Sequence, residues 1–504
     1  MIWMSMLLSA LAAAGQTDAG PLSGAAQLFT SDEPIMVRVR QLVADGRLRE
    51  AENLLQAEQK IDDPRRSQAA ADALEIIRRI RRDYRLELPA LVERLRSPIP
   101  DVTAADVERW RAAGEVQYRV LDGRPCYFIR EPSNIFRFCE EARQRRDAHA
   151  ATQAAPAPDK KAQAEQQMIE HIRKALAAAD ASGKTEVLPI RQRIRYKLTV
   201  APNRPGARSG SLVRCWLPFP QEYRQQKQVR LIRTAPTECK LAPNAEGNQI
   251  LTGAAQRTVY LEQKISDPAQ PVVFEEEFEY VCYAFCPKLD DAAARPLPDD
   301  WGKACLEERP PHVVFTPELR EAVKQAVGDE TNPLAQARKI FYYINTRMKY
   351  CAEEEYSIIP SCTRKGLATW RGDCGIHAML FIAMCRSVGI PARWQSGWET
   401  QPLEWNMHDW AEFYVEPWGW LPADASYGLK KSDDPRIRDF FFGHMDSYRM
   451  IVNLDYGWQL DPPKHSLRSE PADFQRGEVE IDGRNLYYDE WDWDFSFDLQ
   501  PVDD

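Results

Sequence analysis

The sequence predicts a multidomain α+β protein: an N-terminal helical region, a β-sandwich-like domain, an α+β core and C-terminal strands. Three observations carry this reading. Apolar residues recur at helical spacing from Asp32 to about Arg96. Between Leu188 and Ala284 the period drops to two, as in half-buried strands. A long apolar helix then follows Cys374, with a strand, a turn and a second strand after it. The length of 504 residues implies about three domains, and 44% hydrophobic with 28% charged residues gives a globular chain with ample core. A net charge of −9 argues against a general nucleic-acid binder. No apolar run approaches the roughly 18 residues of a membrane span.

In chain order, residues 1–14 read as a signal peptide, an apolar stretch ending in Ala12-Ala13-Ala14, and imply a secreted or extracytoplasmic protein. Residues 28–147 are expected to form the helical domain. The segment from Val43 to Leu55 resembles one helical hairpin of a tetratricopeptide unit, but a stacked array needs about three. Arg78, Arg79, Arg81 and Arg82 have Glu75, Asp83 and Glu87 nearby, so the basic run reads as a solvated helix face. Thr103 opens a short capped helix through Trp110, and Leu121-Asp122-Gly123-Arg124 is the turn of a small hairpin. Residues 148–187 are expected to be a linker and a helix near 168–180.

Residues 188–286 are assigned to the sandwich and 312–460 to the core, with a proline-rich connection before the core helices Glu318–Val327 and Asn332–Arg347. In 461–504, Asp482-Gly483 turns a hairpin. Trp491, Trp493, Phe495 and Phe497 alternate with polar residues as a half-buried strand. Eleven cysteines are many for a reduced compartment. Cys126/Cys139, Cys282/Cys286 and Cys351/Cys362 are near enough in sequence to pair. Metal ligation by Cys282 and Cys286 is disfavoured because no second close pair with histidine follows.

The chemistry centres on Arg371-Gly372-Asp373-Cys374-Gly375-Ile376-His377. Asp373 can cap a helix whose face is Ile376, Met379, Leu380, Ala383 and Met384, and Gly389 followed by Pro391 ends it. A thiol in the first turn faces unpaired N–H groups and the positive end of the helix dipole, both of which favour thiolate. Downstream, His408 lies on a strand (406–415), Pro417-Trp418-Gly419 turns, and Asp424 ends the returning strand. Thiol catalysis needs an imidazole to take the proton and a carboxylate to fix its tautomer. A tight turn would set His408 opposite about residue 427, so a bulge or offset is required to reach Asp424. Asp373 and Asp409 are expected to face away.

The pieces 372–398 and 408–428 resemble the transglutaminase-like superfamily, a branch of the papain-like thiol enzymes, and most closely its secreted multidomain bacterial members. The resemblance implies Cys374 as nucleophile, His408 as general base and acid, and Asp424 as the orienting carboxylate. The papain-type glutamine has no counterpart; Trp370 and Arg371 stand in its neighbourhood, leaving the Cys374 N–H as the one assigned oxyanion donor.

Bland readings compete at each position. Cys374 can be a buried small hydrophobe, as Cys385 is expected to be. His408 can be a satisfied core histidine, Asp424 a turn cap, and His377 a rival base. The expected activity is a thioester formed at Cys374 from a protein or peptide amide and then hydrolysed. Cross-linking of glutamine to amines is the alternative, and an inactive binding scaffold the third. No metal or organic cofactor is needed for either reaction.

Overall fold

The computed structural model describes residues 28–153 and 160–502; the leader read from residues 1–14 lies outside them. The N-terminal helices run Pro34–Ala44, Leu48–Glu58, Pro64–Asp83, Leu88–Leu95 and Ala104–Ala112. The last opens with a capping box in which Thr103 and Asp106 satisfy each other's backbone N–H. The hairpin Tyr118–Leu121/Arg124–Tyr127 and the helices Glu131–Phe138 and Glu140–Ala151 follow. The helix predicted near 168–180 is longer, Lys160–Ser182. Its first turns are rich in Ala, Gln and Lys, good helix formers that also give a linker its composition.

Two antiparallel sheets make the sandwich. One orders 484–486, 478–481, 212–218, 258–264 and 239–241; the other orders 491–501, 186–200, 272–285 and 226–235. Strands near the C-terminal end of the sequence therefore complete both sheets. Trp491–Pro501 pairs with Glu186–Val200 along its whole length, and Glu478–Ile481 pairs with Leu212–Pro218. Ile194, Trp216, Phe274, Phe278 and Val479 fill the space between the sheets.

Residues 312–460 sit in sequence between those strands. Their four-stranded antiparallel sheet orders 419–423, 405–415, 392–400 and 449–453. The helix Cys374–Ser387 lies against it, buried at every position from Cys374 to Arg386. That all-round burial follows from its composition: an amphipathic stripe would leave a polar face for water, and this segment has none. Pro317–Val327, Pro333–Arg347 and Cys362–Thr369 pack around it. Trp398, Met450 and Val452 of the sheet reach into the sandwich core, so the two units share one apolar interior.

Two expectations are corrected. All eleven cysteines are free thiols. Cys282 lies on an extended strand, and four extended residues span about 13 Å, well past disulfide reach. The other thiols have partners of their own: Cys139 accepts the Ala142 N–H, Cys351 meets Glu353, and Cys362 meets His312 Nδ1 at 3.3 Å. The basic run is not a solvated face. Arg79 is fully buried and donates to the Arg468 carbonyl at 2.8 Å. The guanidinium groups of Arg78, Arg79 and Arg82 surround the Tyr487 ring at 5.5, 4.1 and 5.2 Å. The residues around 468–489 cover the helix face that a local reading leaves to water.

Gly397 lies opposite His408 on one side and Ile451 on the other. A Cβ there would come within 1.8 Å of the Met450 carbonyl oxygen, which is backbone and cannot turn aside. Gly397→Ala should therefore destabilise the core by about 3 kcal/mol or more in denaturant melts; a loss below 1 kcal/mol would show that the ladder gives way.

Candidate active site

The nucleophile's neighbourhood starts at a two-residue parallel ladder, Lys349–Tyr350 beside Arg371–Gly372. It delivers the chain to Asp373, whose carboxylate caps the helix by accepting the Ile376 N–H at 3.3 Å. Cys374 is the first helical residue. Its side chain is mostly buried but lines a cavity of about 520 Å³. Gly375 has to be glycine: a Cβ would lie 2.0 Å from the Tyr356 hydroxyl, which spans the site.

The thiol donates to Asp409 Oδ2 at 3.3 Å. The Tyr356 hydroxyl lies 3.0 Å from that same oxygen and 2.9 Å from Asp373 Oδ1. Gln475 Nε2 donates to Asp409 Oδ1 at 2.6 Å and to the His408 carbonyl at 2.9 Å. One phenolic proton cannot serve two carboxylates, so one carboxyl brings its own. Asp409 is the better holder: burial and the neighbouring Asp373 raise it well above the usual carboxylate range, while Asp373 accepts a backbone N–H. Burial, Asp409 and Asp373 likewise push the Cys374 thiol upward. This overturns two expectations. Asp373 and Asp409 face the sulfur, and the helix terminus does not by itself leave a thiolate there.

His408 points from the opposite face of its strand, as period-two alternation requires, and lines a second cavity of about 440 Å³. Arg137, Tyr350 and Asn406 line both cavities. His408 Nε2 meets Asp424 Oδ2 at 2.7 Å. No bulge is needed. The ladder pairs Ala411 with Ala423 and stops, and the Asp424 N–H turns to the Phe441 carbonyl at 2.9 Å. Its Oδ1 accepts from Ser426 N, Ser426 Oγ and Tyr427 N, and Oδ2 also pairs with the buried Arg449 at 2.9 Å. Burial alone would raise this carboxyl. The charges of His408 and Arg449 and the hydrogen bonds outweigh it and hold Asp424 well below the usual range. An ionised Asp424 fixes the His408 proton on Nε2 and leaves Nδ1 as the exchanging nitrogen.

The structure thus brings His408 and Asp424 together, while the thiol is hydrogen-bonded to Asp409 rather than to the ring. The rival base, His377, has Nδ1 on the Asp373 carbonyl at 2.7 Å, and burial pushes it down to about 4. Glu412 lies elsewhere, held by Arg224, Arg393 and Tyr223. Asp409, Tyr356, Gln475 and Arg449 escaped the sequence reading. Asp409 had a signal, its place beside His408, but alternation assigned it to the wrong side of the question. Gln475 lies in a segment with no motif.

Because Asp409 and Asp373 repel a thiolate, alkylation of Cys374 by iodoacetamide should climb with pH through the neutral range without levelling. Asp409 ionises only near pH 7, so Asp409→Asn removes a charge that the parent gains above that point, and labelling at pH 8–9 should quicken by roughly tenfold, the effect of one pKa unit. An unchanged or slower rate would mean the carboxylate does not govern the sulfur.

The family model of the transglutaminase-like superfamily matches residues 320–425, which hold Cys374, His408 and Asp424. A protein of Haemophilus influenzae described only as uncharacterized is 25% identical over 190 residues, 30% of this chain; the match spans about half the length of that curated relative. Among solved structures, a candidate cysteine protease from Cytophaga hutchinsonii aligns at 14% identity and TM-score 0.40, over 63% of this chain and 93% of that one. The periplasmic domain of TgpA from Pseudomonas aeruginosa aligns at 15% identity and TM-score 0.24, over 52% and 91%. Residues 320–425 of this chain are a domain of the transglutaminase-like superfamily.

Proposed function

We propose that the chain is a thiol-dependent acyl-transfer enzyme that opens an amide of a protein or peptide at Cys374 and hydrolyses the product. The observation that carries this is the His408–Asp424 pair at 2.7 Å, buried beside the helix whose first residue is Cys374. The Cys374 sulfur bonds to the amide carbon as its proton leaves for His408 Nδ1. The imidazolium, held by Asp424, returns that proton to the departing amine as the C–N bond breaks. Water then adds to the thioester as His408 takes its proton, and the adduct collapses to the carboxylic acid as the C–S bond breaks and the sulfur takes that proton back. Reaching this state requires the thiol to exchange Asp409 for the ring, a movement substrate entry would drive. The apolar leader read from the sequence puts the substrate outside the cytoplasm in this reading.

Transfer to an amine uses the same residues, so the acceptor separates the two reactions. Incubation with casein and a fluorescent amine should yield shorter fragments; amine incorporation would instead make the enzyme a cross-linker. Cys374→Ala should abolish either product, and His408→Ala should lower turnover about 10²–10⁴-fold. Neither product from a protein whose Cys374 still alkylates would favour a binding scaffold.

A further inference from the structure

A tetrahedral oxyanion formed at Cys374 has one evident donor, the Cys374 N–H in the unpaired first turn of its helix. The two residues standing where papain-type enzymes keep a second donor are turned elsewhere. Trp370, left-handed at the end of its helix, packs on Tyr343 and lines a separate cavity. The Arg371 guanidinium sits over the Phe138 ring at 3.9 Å.

Tyr350 fills the gap. Its Cα is the ladder partner of Gly372, so its side chain leaves the backbone beside the turn that presents the sulfur. It lines both the cavity of Cys374 and that of His408, the place a carbonyl must occupy to be attacked from one and protonated from the other. Its ring is held at 6.1 Å from the His377 ring and 5.4 Å beneath the Arg137 guanidinium. Tyr356 and Tyr427, the nearby phenols, are committed to Asp373 and Asp409 and to Glu399. Among the described residues the Tyr350 hydroxyl has no hydrogen-bond partner. Cys374 first, then burial, keep this phenol protonated far above neutral pH, so it can only donate there.

We propose that Tyr350 Oη is the second oxyanion donor of this site. As the sulfur–carbon bond forms, the carbonyl π electrons move onto oxygen, and that oxygen accepts from Tyr350 Oη–H and from the Cys374 N–H. When the intermediate collapses the π bond returns and the leaving group departs; Tyr350 keeps its proton throughout. The role rests on Cys374 being the nucleophile.

Two reagents that attack the same sulfur separate this role from a structural one. Iodoacetamide reacts by displacement at a tetrahedral carbon and forms no oxyanion. p-Nitrophenyl acetate acylates through one, and its burst of nitrophenolate and the acetyl group on Cys374 are read by absorbance and mass spectrometry. Tyr350→Phe should leave alkylation within twofold of the parent across the pH range and slow acylation at least tenfold, toward the 10²–10³ typical of a lost oxyanion donor. Acylation within twofold of the parent overturns the proposal. So does a parallel fall in both rates, which would make Tyr350 a support for the thiol. Failure of the parent itself to acylate at Cys374 strikes the nucleophile and not Tyr350 alone.

Discussion

A single phenolic proton shared between two buried carboxylates is the constraint on which this site is built. Tyr356 reaches Asp373 at the helix start and Asp409 on the central strand, so helix, strand and the loop bearing Tyr356 are held at hydrogen-bond length from one another. Two ionised carboxylates around one hydroxyl in a dry environment would be costly. Retaining a proton on Asp409 removes that cost and supplies the missing donor. The sulfur inherits the consequence: it rests as a thiol against a carboxyl, with the helix dipole opposed by nearer charges.

The surroundings of the site come from distant parts of the chain. Asn134 of the helical region grips the backbone of Ala352 from both sides, donating to its carbonyl at 2.8 Å and accepting its N–H at 2.9 Å. Arg119 pairs with Glu354, and Arg476 with Glu355. The stretch between Tyr350 and Tyr356 is thereby clamped by a helix and a hairpin strand before it and by a loop after it. Gln475, from that same loop, fixes Asp409. The matched region 320–425 holds the sulfur, the imidazole and its paired carboxylate, and also Asp373, Asp409 and Tyr356 around the sulfur, while Gln475, which fixes Asp409, lies beyond it.

What the sequence made legible was whatever is local and periodic. The buried helix, its Asp373 cap, the strand bearing His408 and the half-buried strand from Trp491 all follow from spacing over a few residues. Contacts between distant segments were not legible. Period-two alternation placed His408 and Asp409 on opposite faces correctly, but could not say that both faces meet something reactive. The arginines of the long N-terminal helix looked solvated because the residues that cover them lie some 400 positions away. Cysteine count suggested cross-links, yet extended geometry at Cys282 forbids the nearest of them.

Residues 312–460 leave one sandwich sheet and return to both, since 186–285 precede them and 478–501 follow. A unit fastened at two ends and sharing an apolar interior with its holder has no hinge to swing on. The sulfur, the imidazole and the sheet beneath them travel as one body. The helical region before residue 154 is joined by a single passage of chain and contributes Arg130 and Arg137 to the cavity walls. That wall is itself tied down, because the helical core takes in Ile358 and Leu467, so what remains free to turn at the mouth is side chains and not whole elements.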